Sequence, residues 1–206
     1  RAEAAWREGD LTAANAYFRT AVELAPESPR ARTRWGRLFL TTHQNSEAIK
    51  LFQEALELDG EYIPAKMGLA SVAAGRFEDR ARALVGEVLE ADSSQIEAQL
   101  LLARMSLEDG ALARAEEALT EVLRVAEEHG LPPLEVYALS ASVDLLQGIT
   151  ESVWTERALA YNPGFGEIYA TPAHFYVITR RYREAIELLF KAVHIQPDLW
   201  SAHAEL

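Results

Sequence analysis

The side chains of this chain that could do chemistry are its histidines and its carboxylates, because cysteine is absent. There is therefore no thiolate nucleophile, no cysteine metal site and no disulfide framework. The five histidines are His43, His129, His174, His194 and His203, and no two have the H-x3-H or HExxH spacing that sets two imidazoles over one metal ion. Each is read as a surface or lining residue. Carboxylate pairs such as Glu116-Glu117 and Glu127-Glu128 fall in helical stretches and read as solvated charge faces rather than acid/base pairs. Gly164-Phe165-Gly166 has the opening of a dinucleotide fingerprint, but it lacks the preceding strand and the third small residue that the motif needs. It follows Asn162-Pro163, so it reads as a turn. The chain is predicted to hold no metal or cofactor and to be no enzyme on its own.

Composition bounds the partners. A formal net charge of -12 and an isoelectric point near 4.9 repel a phosphate backbone, which excludes nucleic acid as a general partner. No apolar run approaches the roughly 18 residues that cross a bilayer, and the opening RAEAAWREGD lacks the basic-then-apolar order of a secretory signal. No membrane partner is expected, and the compartment stays open. With 206 residues, 49% of them hydrophobic, the chain can bury a sizeable core.

The elements that must position any site are set by a repeat. Ala48, Phe52 and Ala55 lie at i, i+4 and i+7, one face of a helix; the same pattern returns at Ala14, Phe18 and Ala21 and at Ala185, Leu189 and Ala192. Pro26 to Gly60 and Pro163 to Pro197 are each 34 residues apart. The small residues admit a neighbouring helix closely while the ring fills the gap. Upstream lies a second type of helix, as in Arg34-Trp35-Gly36-Arg37-Leu38-Phe39 and Leu101-Leu102-Ala103-Arg104-Met105-Ser106. Turn residues at Gly9-Asp10, Asn45-Ser46, Gly75-Arg76, Gly110 and Gly148 divide the two.

This period, with Trp35, Gly36 and Phe39 standing near the W-x2-L-G-x2-Y pattern, resembles the tetratricopeptide repeat family over essentially the whole chain. The resemblance implies an all-α, right-handed α-solenoid of helix-turn-helix repeats, about six of them with truncated ends, in one array over 1–206. Its repeats fall near 1–28 (partial), 29–62, 63–95, 96–129, 130–165 (divergent) and 166–199, and 200–206 starts a further one. Gly130-Leu131-Pro132-Pro133 reads as a strong helix stop, with a bend expected there or, alternatively, a boundary between sub-arrays. Pro172 falls inside a first helix running from about Glu167, with a later start at Thr171 as the rival reading. The ends read as cuts in a longer protein, and their uncapped repeats are open either to fraying or to self-association.

In this family the first helix of each repeat lines a concave groove. The resemblance therefore implies a groove of Arg30, Thr33, Arg34 and Arg37, then Met67 and Ser71, then Leu100, Leu101, Arg104 and Glu108, then Leu139 and Ser142, and lastly Thr171 and His174. Arg30, Arg34 and Arg37 are at i, i+4 and i+7, and with Arg32 they make that part basic. Such a surface suits an extended or helical peptide with an acidic end and an apolar body. The arginines equally suit neutralisation of acidic neighbours, and Leu100 and Leu101 equally suit the core. The family's carboxylate-clamp lysines and asparagines are missing at the matching sites, so that ligand is not carried over. The expected function is a protein- or peptide-binding scaffold. The alternatives are a self-assembly module and the non-catalytic arm of a larger enzyme, because 162–185 is also similar to bacterial tetratricopeptide proteins that continue into a metallopeptidase-like domain.

Overall fold

The computed structural model describes residues 1–75, 78–130 and 134–206. Among them are thirteen helices and no strand, the all-α architecture that the repeat predicted. Arg76 and Phe77 of the expected third turn and Leu131-Pro132-Pro133 of the expected helix stop lie outside the described residues, as do the side chains of Glu127 and His129.

The chain divides into two compact units, Arg1–Ala98 and Gln99–Leu206. The first holds α1 (Ala2–Arg7), α2 (Leu11–Leu24), α3 (Pro29–Thr41), α4 (Asn45–Leu58), α5 (Ile63–Ala74) and α6 (Glu78–Ala91), and the start of α7 (Ile96–Glu108). The second holds the rest of α7, with α8 (Leu112–His129), α9 (Leu134–Leu146), α10 (Val153–Tyr161), α11 (Glu167–Ile178), α12 (Tyr182–Ile195) and α13 (Trp200–Glu205). Within the first unit α3 packs on its partner α4 and on the next first helix, α5. In the second unit α11 packs likewise on α9, α12 and α13.

Local chemistry starts and stops these helices. Asp10 and Ser28 accept the backbone N–H of Ala13 and Ala31 at 2.9 and 3.2 Å, each satisfying a donor that the first helical turn leaves unpaired. Pro29 takes the first position of α3, where its missing N–H costs nothing. In five of the helix pairs the turn is closed by one residue in the left-handed region: Gly9, His43, Gly110, Gly148 and Arg180, with φ between 57 and 90°. The residue after it donates to the carbonyl five positions back, as Asp10 to Ala5, Gln44 to Phe39 and Arg181 to Tyr176 at 2.7 to 2.9 Å. That is the Schellman closure. The turn expected at Asn45-Ser46 sits slightly earlier, since His43 takes the left-handed conformation and Asn45 already opens α4.

The repeated small residues carry the packing. Ala14, Ala48, Ala55 and Ala192 are fully buried, which lets a neighbouring helix approach to backbone distance. Phe52 is fully buried between two glycines, Gly36 on α3 and Gly68 on α5, and its ring occupies the space where either glycine would carry a Cβ. In the second unit the core gathers Ala170, Ala173, Tyr176, Leu189 and Ala202 from α11, α12 and α13. Helix α11 starts at Glu167 and runs through a buried Pro172, which decides between the two starts left open by the sequence. The proline removes the N–H that the Ile168 carbonyl would accept.

Candidate functional site

The expected groove residues lie on the first helices α3, α5, α7, α9 and α11, so the site is built from them. The arginine row of α3 is present, but two of its members already have partners. Arg34 Nε donates to Glu3 Oε1 on α1 at 2.5 Å, and Arg37 Nη2 donates to Glu97 on α7 at 2.9 Å. Arg32, on the neighbouring face, lies 3.4 Å from Glu54. For Arg34 and Arg37 the acidic partners come from the preceding first helix and from the one beyond α5. Arg30 is exposed and makes no ion pair among the described residues, although its charge reaches Glu3.

A rule of register explains the pairs. Glu3 with Arg34, Arg104 with Glu135, and His174 with Glu205 are each separated by 31 residues. One repeat less one helical turn places the two side chains side by side on successive first helices. The hydrogen bond from Arg34 holds the Glu3 carboxyl below the usual carboxylate range, with burial opposing and the Arg34 charge adding. A depressed pKa contributes stability that is complete above the unfolded-state value and is lost as pH falls through the folded one. Glu3→Gln should therefore be slightly less stable than the parent at neutral pH, and the difference should shrink as the pH falls below the ordinary glutamate value of about 4.3 and vanish once it has passed the lowered one. Because both side chains are more than a third exposed, the gap should stay under about 1 kcal/mol. Denaturant titrations across that range check it; a gap that persists in acid would assign the effect to packing.

Five of the expected groove residues lie in the core. Thr33, Met67, Leu100, Leu139 and Ser142 are all buried, because the helices they sit on are covered on two sides. Helices α5 and α9 are apolar nearly all round, so no polar face shows in their sequence which side is out. Their side chains are closed to a ligand, and the core reading of Leu100 prevails. Arg30, Ser71, Arg104, Glu108 and His174 are exposed, and Arg34, Arg37, Leu101 and Thr171 are partly so.

In the second unit three of these residues come together. Arg104, Thr171 and His174 line one hollow of about 260 Å³ with Glu167, Ser201 and Glu205, over a floor that includes Ala170, Phe175 and Leu189. His174 Nδ1 lies 2.7 Å from Glu205 Oε1; a carboxylate only accepts, so Nδ1 carries the proton. Ser201 Oγ donates to Glu167 Oε1 at 3.1 Å. Glu167, Ser201 and Glu205 were missed in the sequence, although Ser201 lies 34 residues beyond Glu167 and Glu205 lies 34 beyond Thr171. Among the described residues no group of His, Asp or Glu has a metal-holding arrangement, and no helix is long and apolar enough to cross a membrane. The arrangement can grip charged and polar groups.

The sequence profile described as tetratricopeptide repeat matches residues 1–63. No curated protein matches the chain. Among solved structures, a tetratricopeptide repeat protein from Parabacteroides merdae superposes with a TM-score of 0.66 at 14% identity, over 100% of this chain and 80% of that one. The APC/C hetero-tetramer Cut9-Hcn1 gives 0.75 at 17% identity, over 98% and 40%. YrrB, a tetratricopeptide protein with an unusual peptide-binding site, gives 0.53 at 21% identity, over 91% and 97%. At such identities the likeness is one of fold.

Proposed function

We propose that this chain, which has the fold of tetratricopeptide-repeat proteins and over residues 1–63 matches that repeat's sequence profile, is a scaffold binding a protein or peptide along the exposed faces of its first helices. The observation that carries this reading is the hollow of the second unit, where first helices α7, α11 and α13 turn charged and hydroxyl groups toward a common space with an apolar floor. A packing surface has no need of such a space, whereas a peptide side chain fills it. That YrrB is described by its peptide-binding site lends support by fold alone. Within each unit a ligand would engage several first helices.

In the first unit the anchor is Arg30. Arg34 and Arg37 already hold carboxylates, and a ligand would have to displace them. Arg30 is exposed and offers its guanidinium fork without that competition. The test starts from peptides selected on the intact chain from a random library displayed on phage. Arg30→Glu should weaken the selected peptides at least tenfold, about 1.4 kcal/mol, while leaving the melting temperature nearly unchanged, as is usual for an exposed substitution. Unchanged affinity would remove Arg30 from the site; failure to select any peptide would overturn the scaffold reading.

A further inference from the structure

We propose that the hollow between α7, α11 and α13 takes a cationic side chain, a lysine or arginine of the bound peptide; the inference rests on the peptide-binding reading above and adds the chemistry of one subsite. Two carboxylates border the space. Glu167 and Glu205 each have one oxygen engaged, by Ser201 and by His174, and each has its other oxygen without a partner among the described residues. Carboxylate oxygens in a half-enclosed hollow are strong acceptors waiting for charged donors.

The floor sets the rest of the occupant. Phe175 and Leu189 are buried beneath the carboxylates, so an entering group meets apolar surface at depth and charge at the rim. A lysine or arginine has that construction, a methylene stem ending in a donor head. An acidic side chain would place its charge against Glu167 and Glu205. The one arginine of the lining, Arg104, donates to Glu135 and is thereby neutralised. The wider field agrees, since residues 99–206 hold sixteen acidic side chains against eight basic ones and attract cations as a whole. Thr171, whose hydroxyl makes no hydrogen bond among the described residues, adds a neutral acceptor on the same wall.

The experiment uses the whole chain labelled with nitrogen-15 and three probes of similar size: N-acetyl-lysine amide, N-acetyl-norleucine amide and N-acetyl-glutamate amide. The lysine probe should give saturable shifts at the amides of Thr171, His174 and Ser201; the other two should not. The double variant Glu167→Gln and Glu205→Gln keeps shape and removes both charges, so lysine affinity should fall at least tenfold while the remaining spectrum shows the fold intact. Norleucine acting as well as lysine would reduce the hollow to an apolar dimple, and glutamate acting better would reverse its sign; either result overturns the proposal. Arg30→Glu should leave the lysine shifts untouched. If the lysine probe fails while Arg30→Glu still weakens selected peptides, the subsite is wrong and the scaffold reading stands.

Discussion

Phe52→Ala is expected to destabilise the first unit by about 3–5 kcal/mol, the range for emptying a fully buried phenylalanine site. Its ring is the wedge between three helices, and the positions facing it are glycines that cannot fill the void. A Cβ built on Gly68 would stand 2.5 to 2.7 Å from three carbons of that ring, and one built on Gly36 would stand 2.7 Å from its Cε1. Gly68→Ala in the parent should therefore cost about 1–3 kcal/mol through overpacking. In the Phe52→Ala background the same change should turn neutral or favourable, because the ring is gone and alanine outranks glycine in a helix by about 1 kcal/mol. Such a reversal is a coupling that a double-mutant cycle reads directly. Gly86 on α6 supplies the control: nothing lies within 4 Å of its added Cβ, so Gly86→Ala should stabilise by up to ~1 kcal/mol. Additive effects at positions 52 and 68 would deny the wedge.

This wedge was largely legible in the sequence. The recurrence of a small residue, a bulky one and a small one at i, i+4 and i+7 every 34 residues is a packing code, and both the second helices and the glycine of the first helix followed from it. The polar surface was less legible. Period and helix face say which residues leave the core, but pairing depends on the offset between successive first helices. That offset brings residues 31 apart together, and Glu3 meets Arg34 by a rule that a search for 34 passes over. The left-handed turn residues His43 and Arg180 were hidden for another reason: glycine marks such a site, and here tertiary closure imposes it on residues that bear side chains. In α5 and α9 the failure was physical, because an apolar helix covered on two sides carries no outward signature. Met67, Leu139 and Ser142 could not be placed without their neighbours.

Gly166 is where the two kinds of information meet, and its substitution is expected to give the largest change in the second unit. It caps α11 with a φ of -64°, which any residue adopts, so conformational freedom does not explain its presence. Space does. A Cβ there would lie 2.8 Å from Gln196 Cβ, 3.0 Å from Leu199 Cδ2 and 3.1 Å from the Ala192 carbonyl oxygen. A side-chain tip can swing aside, but the backbone oxygen that ends α12 cannot move without shifting the helix. Gly166 N–H also donates to Gln196 Oε1 at 3.0 Å, tying the start of α11 to the corner between α12 and α13. Gly166→Ala should therefore cost about 1–3 kcal/mol, whereas Gly164→Ala, whose Cβ would meet nothing nearer than Asn162 Oδ1 at 3.5 Å, should cost little. Glu167 and Ser201 lie on the two sides of that corner, so pushing α11 away lengthens their hydrogen bond and opens the hollow they border. Amide exchange should accelerate in α11, α12 and α13 and stay as in the parent in α3 and α4, because local stability follows local packing. The lysine probe should lose its saturable shifts in Gly166→Ala and keep them in Gly164→Ala. Equal exchange in the two variants would mean that the corner yields freely, and the hollow would then owe its shape to something other than this close approach.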